Sequence, residues 1–222
     1  MTENVSSLPA EELEFNSDPL SPPPSMRSGK IPRLSSLGII LFSLLGLIAS
    51  WQLWRTEMIH RAQPNRGLGC SLNSVVDCRG AMESPAGHLI FGIPNSVFGM
   101  IAFGVLTAAG IYLLAGGRIP KWGRLLFVLG TSVGLIAVVF FLATSVFKLH
   151  SLCPYCFLTW MATIFLAWLS YALWVRAAAT PTYRLSGARR ALVGYWWLGA
   201  LFSVAVIVGI LFAVFGLQIF RL

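Results

Sequence analysis

The sequence predicts an all-α, polytopic membrane protein, and three observations carry the prediction. Of its 222 residues, 56% are hydrophobic and only 11% charged, against about 25% charged in a typical soluble domain. That is too little charge to coat a surface facing water, which excludes an ordinary soluble globule. Five stretches reach the ~20 mainly apolar residues that a helix needs to cross a bilayer, and none of the five contains Lys, Arg, Asp or Glu. The formal net charge is +8. In a soluble domain that excess would suggest nucleic acid; in a membrane protein it asks whether Lys and Arg sort to one side.

Residues 1–33 differ from the rest. Five acids (Glu3, Glu11, Glu12, Glu14, Asp18) precede the run Ser21-Pro22-Pro23-Pro24-Ser25. Such a stretch has little apolar surface to offset the entropy of ordering, so a disordered tail is expected. Its acidic start, and the lack of a small-residue cleavage site after the first apolar run, do not fit a signal peptide. The first apolar run is therefore expected to remain as an anchor.

That run is residues 34–54, LSSLGIILFSLLGLIASWQLW. The second span covers 94–115, the third 125–147 (LLFVLGTSVGLIAVVFFLATSVF), the fourth 154–175 and the fifth 191–217. Gly130 and Gly134 form a small-xxx-small pair in the third, a pattern of close helix packing. Trp51, Trp54, Trp122, Trp174, Trp196 and Trp197 fall near span ends, as in an interfacial aromatic belt. With five spans, three segments share one side: the tail (Arg27, Lys30, Arg33), 116–124 (Arg118, Lys121, Arg124) and 176–190 (Arg176, Arg184, Arg189, Arg190). They hold ten basic residues, against six (Arg55, Arg61, Arg66, Arg79, Lys148, Arg221) on the other side. The positive-inside rule then puts the N-terminus in the cytoplasm and the C-terminus outside.

Cys70 and Cys78 lie between the first two spans, and Cys153 and Cys156 at the start of the fourth. Alternation of the spans puts all four thiols on one face. The charge rule makes it the outer, oxidising face, where disulfides persist. Cys153-Pro154-Tyr155-Cys156 is a C-x-x-C at a helix start, with Cys153 near the N-cap and Pro154 suited to N1. The free N–H groups and partial positive charge there favour a thiolate, the species that attacks disulfides. Cys153 should face the loop, and Cys156 should sit deeper, within reach of an apolar electron acceptor. Half of a zinc site is the alternative for a C-x-x-C, but Cys70 and Cys78 do not make a second knuckle, so no metal is expected. A structural disulfide is the alternative for the loop pair. Two thiol pairs on one face also suit an electron relay through mixed disulfides.

The motifs in order are Cys70, Asn73-Ser74-Val75-Val76-Asp77-Cys78, Ser84, Phe91-Gly92-Ile93-Pro94-Asn95-Ser96 with Phe98-Gly99, and Leu152-Cys153-Pro154-Tyr155-Cys156. In this combination the sequence resembles the vitamin K epoxide reductase (VKOR) family, and within it the bacterial homologues, from about Leu34 to Val175. The resemblance implies a four-helix transmembrane bundle around a quinone pocket, capped by the loop between helices 1 and 2, with the fifth helix outside that core. It implies that Cys70 and Cys78 are a shuttle pair taking electrons from a thioredoxin-fold partner. Cys78 would exchange with Cys153, and Cys156 would lie next to the quinone ring. Ser84, Asn95 and Phe98 match residues near the quinone. Read from the residues alone, Asn95 after Pro94 also suits a cap for helix 2, Ser84 before Pro85 suits a turn, and Phe98 suits the core. Trp160 stands where some relatives carry a Tyr, one turn beyond Cys156; an indole N–H donates but cannot accept, which leaves it a stacking or donor role against the quinone. His60, His88 and His150 read as exposed loop histidines.

The expected organisation is thus a disordered cytoplasmic tail (1–33), a catalytic four-helix domain (34–175), and a cytoplasmic loop with a fifth transmembrane helix (176–222). The expected activity is that of a thiol:quinone oxidoreductase in a bacterial plasma membrane. It would reoxidise a separate, extracytoplasmic, DsbA-like partner and pass electrons to menaquinone or ubiquinone. Reduction of vitamin K or its epoxide is the alternative within the same chemistry. A non-enzymatic membrane protein with structural cysteines is the alternative outside it, disfavoured because transporters usually keep ionisable groups at the midplane.

Overall fold

The structure is a computed structural model, described here for residues 15, 18–23, 26, 28–63, 70–71, 75–89, 91–180 and 185–216. Among the described residues the α-helices are, in order, α1 (Arg33–Ala62), α2 (Arg79–Glu83), α3 (Asn95–Leu114), α4 (Lys121–Thr144), α5 (Pro154–Ala177) and α6 (Gly187–Phe215). A four-residue 3-10 turn, Pro85–His88, follows α2, and a π-helical turn, Ser145–Leu149, continues α4. Five of these helices are long and apolar enough to cross a membrane. The all-α, polytopic class expected from composition is the one observed.

The helix ends show where hydropathy and helicity part. The apolar run of the first span stops at Trp54, but α1 continues for two more turns to Ala62. Arg55, Glu57, His60 and Arg61 end the hydropathy without breaking the helix, since none of them is a helix breaker. Thirty residues make a helix of about 45 Å, longer than the ~30 Å hydrocarbon core, so the last turns project beyond it. At the other end of the chain, α6 starts at Gly187, before the apolar run, and bends at Tyr195 (φ −126°, ψ 28°). Residue 217, the expected end of the last span, lies outside the described residues.

The bundle is built around α1 and α5. α3 packs on α1, α5 on α1, α4 on α5, and α6 on the outer side of α5. Small residues set the closest crossings: Gly46 lies under the Phe103 ring, and a Cβ on Gly110 would stand 2.7 Å from Ile40 Cγ1. Phe42 of α1 stacks on Phe165 of α5 at 4.4 Å. Hydroxyls cross between helices at Ser43–Thr107 (2.9 Å), Thr131–Ser170 (2.9 Å) and Ser132–Tyr171 (2.8 Å). In an apolar medium each of these would otherwise need a partner within its own helix. The expected Gly130/Gly134 seam is only half present. A Cβ on Gly134 would meet Thr163 at 2.9 Å, whereas Gly130 faces open space; α4 meets α5 through Thr131 and Gly134 instead. Trp51, Trp122, Trp174 and Trp197 are exposed; Trp122 and Trp174 lie within a turn of a helix end, whereas Trp51 and Trp197 lie well inside α1 and α6, because both helices run beyond their apolar stretches.

Composition leads one to expect disorder in the N-terminal tail, yet its described residues lie against the end of the bundle remote from the cysteines. Met26 and Ile31 are buried in one cluster with Ile39, Phe103, Leu113, Leu166, Leu169 and Leu173. Arg176 donates to the Pro19 and Ser21 carbonyls, Asp18 pairs with Arg190 at 2.6 Å, and Ile119 N donates to Gly29 O at 2.9 Å. Four buried apolar side chains, Phe15, Pro22, Met26 and Ile31, and a few carbonyls seat the segment, a contribution that overall composition hides.

Candidate active site

The four cysteines meet at the opposite end of the bundle. Cys78 occupies the N-cap of α2 and Cys153 the N-cap of α5. The two segments are pinned side by side by a parallel bridge between Val76 and Leu152. Leu152 N donates to Val75 O at 2.7 Å, and Asp77 N donates to Leu152 O at 3.2 Å. This backbone clamp fixes the approach of Cys78 and Cys153, which follow the two bridge residues. Gly80 tightens it further, since a Cβ there would stand 2.8 Å from Ser151 Oγ.

Cys70 and Cys78 form a disulfide, and Cys153 and Cys156 are free. The Cys153 sulfur lies 3.5 Å from the Cys78 sulfur. All three sulfur positions of this line are shielded, with Cys70 at 4%, Cys78 at 0% and Cys153 at 2% relative exposure. Met82 completes the buried cluster, and Leu53, Ala81, Tyr155 and Cys156 pack against it. Met82 and Leu53 carried no motif and were legible only as apolar residues.

The first N–H groups of α5 have no partner within the helix, Pro154 at its first position has none to satisfy, and Cys156 N donates to Cys153 Sγ at 3.4 Å. The Cys156 thiol beside it, and then the Cys156 and Tyr155 N–H groups, hold the Cys153 thiol below its ordinary range, against burial and the Asp77 carboxylate, which push it up. Asp77 is occupied by Ser71 Oγ and by Arg79 N. A depressed thiol pKa makes Cys153 a good leaving group in disulfide exchange.

The residues expected near a quinone occupy varied positions. Trp160 is buried one turn below Cys156, and Phe98 is half-buried on α3. Ser84 ends α2, its hydroxyl donating to Ala81 O and its carbonyl accepting from Gly87 N, which is the bonding of a turn residue. Asn95 does not cap α3, whose N-cap is Pro94. It ties the 3-10 turn down instead, with Nδ2 donating to Ala86 O at 2.5 Å and Oδ1 accepting from Leu89 N at 3.4 Å. One amide N–H of Asn95 is left over. Beside it, Ser96 Oγ is buried with no hydrogen-bond partner among the described residues.

Two of the three histidines differ from their expected role as exposed loop residues. The extension of α1 puts Glu57, His60 and Arg61 on one face. His60 bonds Glu83 at 2.9 Å, and His88 lies 2.8 Å from Glu57, which also accepts from Arg61 at 2.6 Å. Only His150 is exposed, in the left-handed region at φ 51°. No group of three or more His, Cys, Asp or Glu side chains suited to a metal occurs among the described residues.

A family model described as the vitamin K epoxide reductase family matches residues 37–171. The chain belongs to the vitamin K epoxide reductase family. The matched region runs from α1 to α5 and includes all four cysteines; α6 and the tail lie outside it. A comparison with curated proteins found no match. Membership makes the chain an oxidoreductase of a quinone-linked thiol family that acts with quinones and thioredoxin-like partners, in a multi-pass membrane setting.

Proposed function

We propose that the protein reoxidises an extracytoplasmic, DsbA-like thioredoxin-fold partner and passes the electron pair to a membrane quinone, menaquinone or ubiquinone, in a bacterial plasma membrane. The observation that carries this reading is the line of sulfurs: a Cys70–Cys78 disulfide with Cys153 Sγ 3.5 Å from Cys78. The asymmetry of basic residues supports a cytoplasmic N-terminus with the cysteines and C-terminus outside.

The cycle follows from thiol exchange. A partner thiolate attacks Cys70, breaking the Cys70–Cys78 bond and releasing the Cys78 thiolate. The second partner thiol then resolves the mixed disulfide, leaving the partner oxidised and Cys70 reduced. Cys78 attacks Cys153 of an oxidised Cys153–Cys156 pair, and Cys156 leaves as the thiolate. Cys70 then attacks Cys78, restoring Cys70–Cys78 and releasing Cys153, whose depressed pKa favours departure. The product is an oxidised shuttle pair with Cys153 and Cys156 reduced, the bonding pattern of the structure. A bound quinone supplies a two-electron, two-proton acceptor for that dithiol. The residues fit such a group: Ser96 Oγ is a buried hydroxyl in need of an acceptor, and the spare N–H of Asn95 is a second donor on the same turn. Phe98 and Trp160 would offer aromatic surface to the ring.

The test is partner reoxidation in membranes with Cys156→Ser. Exchange between partner and shuttle pair should persist while coupled quinone reduction is lost. Undiminished quinone reduction would refute the scheme.

A further inference from the structure

α6 lies outside the stretch that matches the family, yet its inner face reaches the segments that carry the sulfurs. Ile207, Leu211 and Phe215 recur every fourth residue, so they form one stripe along the helix. Leu211 and Phe215 are 3% and 6% exposed, while Phe212 and Val214 between them are open to the surroundings. The stripe packs on Val75 and on Val146 of the π-helical turn, with Leu152 and Phe157 against the same cluster.

These partners are the backs of the two segments that exchange. Val75 O accepts from Leu152 N, and Leu152 bridges to Val76. Side chains alternate along an extended segment. Leu152 accordingly turns to the α6 cluster, and Cys153, next to it, turns to the cluster of sulfurs. Phe157 follows Cys156, and its N–H bonds the Cys153 carbonyl at 3.0 Å. A bridge between two short segments has little stability of its own, so packing from behind decides how closely they lie. The register of α6 is set deeper in the bundle. A Cβ on Gly199 would stand 2.7 Å from Trp168 Cζ3, and Trp168 Nε1 donates to Ser203 Oγ at 3.1 Å. Only about 12 Å of helix separates Ser203 from Leu211, so this lock fixes where the stripe meets the clamp. Between helices in lipid, close packing holds such a contact in place of a hydrophobic drive, which makes it sensitive to side-chain shape.

We propose that Leu211 and Phe215 are positioning residues for the exchange, and that α6 is a buttress holding the Val75 and Leu152 segments together so that Cys78 and Cys153 meet at 3.5 Å. The proposal rests on the relay reading for the exchange it serves. Its test needs neither partner nor quinone. The full chain in membranes carries Cys70→Ser and Cys156→Ser, which leaves Cys78 and Cys153 as its thiols, and is equilibrated against glutathione. A truncated leucine leaves a cavity that its neighbours fill only in part, so Leu211→Ala lowers the effective concentration of the pair roughly tenfold. Phe215→Ala acts in the same direction. Leu211→Met conserves volume and stays within about twofold of the parent. Val204→Ala truncates the same helix against Ile164 and Ala200, away from the clamp. It lowers thermal stability and leaves the effective concentration unchanged. A Leu211→Ala value equal to the parent's, or a fall in Val204→Ala as large as in Leu211→Ala, overturns the buttress and leaves the relay standing. A parent in which Cys78 and Cys153 do not bond at all overturns the relay, and the buttress with it.

Discussion

Replacing Gly80 with Ala tests whether backbone packing sets the Cys78–Cys153 distance. Helix propensity alone favours the change by about 1 kcal/mol, so α2 should gain. Packing opposes it. The new Cβ would stand 2.8 Å from Ser151 Oγ, and relief requires about 0.6 Å of movement of α2 away from the Leu152 segment, an overpacking strain of typically 1–3 kcal/mol. Because Cys78 is the N-cap of α2, that movement opens the 3.5 Å sulfur–sulfur approach. The assay uses Cys70→Ser with Cys156→Ser, which leaves Cys78 and Cys153 as the only thiols, equilibrated against glutathione. Gly80→Ala should lower the effective concentration of the pair about tenfold, which corresponds to about 1.4 kcal/mol. Adding Ser151→Ala removes the atom that is struck and should restore the wild-type value. An unchanged or raised effective concentration in Gly80→Ala would refute the reasoning.

Further predictions concern single groups. Alkylation of reduced Cys153 should hold its plateau below the ordinary thiol value of about 8.5 and fall only as pH drops through the depressed pKa; Cys156→Ala removes the first cause of the shift and should move the midpoint up. Asn95→Ala deletes the tie to Ala86 O, leaves a carbonyl unpaired, and should destabilise the cap by about 1–3 kcal/mol, read as faster phosphine reduction of Cys70–Cys78. Asp18→Asn removes a half-exposed pair with Arg190 and should change thermal stability by no more than about 1 kcal/mol.

The five spans were legible because apolar length is a direct demand of the bilayer and no charge interrupts it. The convergence of the cysteines was legible in kind, since alternation of spans puts Cys70, Cys78, Cys153 and Cys156 on one side. The means of convergence was not. The Val76–Leu152 bridge joins two short segments with no strand pattern, and the need for Gly80 arises only from what stands opposite it. His60 and His88 are paired where exposed loop histidines are expected, because α1 outlasts its hydropathy at Trp54 and two more turns bring Glu57, His60 and Arg61 onto one face. Asn95 fits neither the cap expected from Pro94-Asn95 nor quinone contact alone, because its partner, the Ala86 carbonyl, lies nine residues upstream; Ser84-Pro85 announces the turn that holds Ala86 but not what ties it down. In the tail, overall composition hid a few well-placed side chains, Met26 and Ile31 among them.

The central claim is that electrons cross from one pair to the other through Cys78 and Cys153. Replacing Cys70 with Ala removes the thiol that would resolve this bond. Mass mapping of the variant, after oxidation of Cys153–Cys156 by quinone and acid quenching, should find Cys78 linked to Cys153 with Cys156 released as the thiol. Finding Cys78 linked to Cys156, or left free beside an intact Cys153–Cys156 disulfide, would contradict the account.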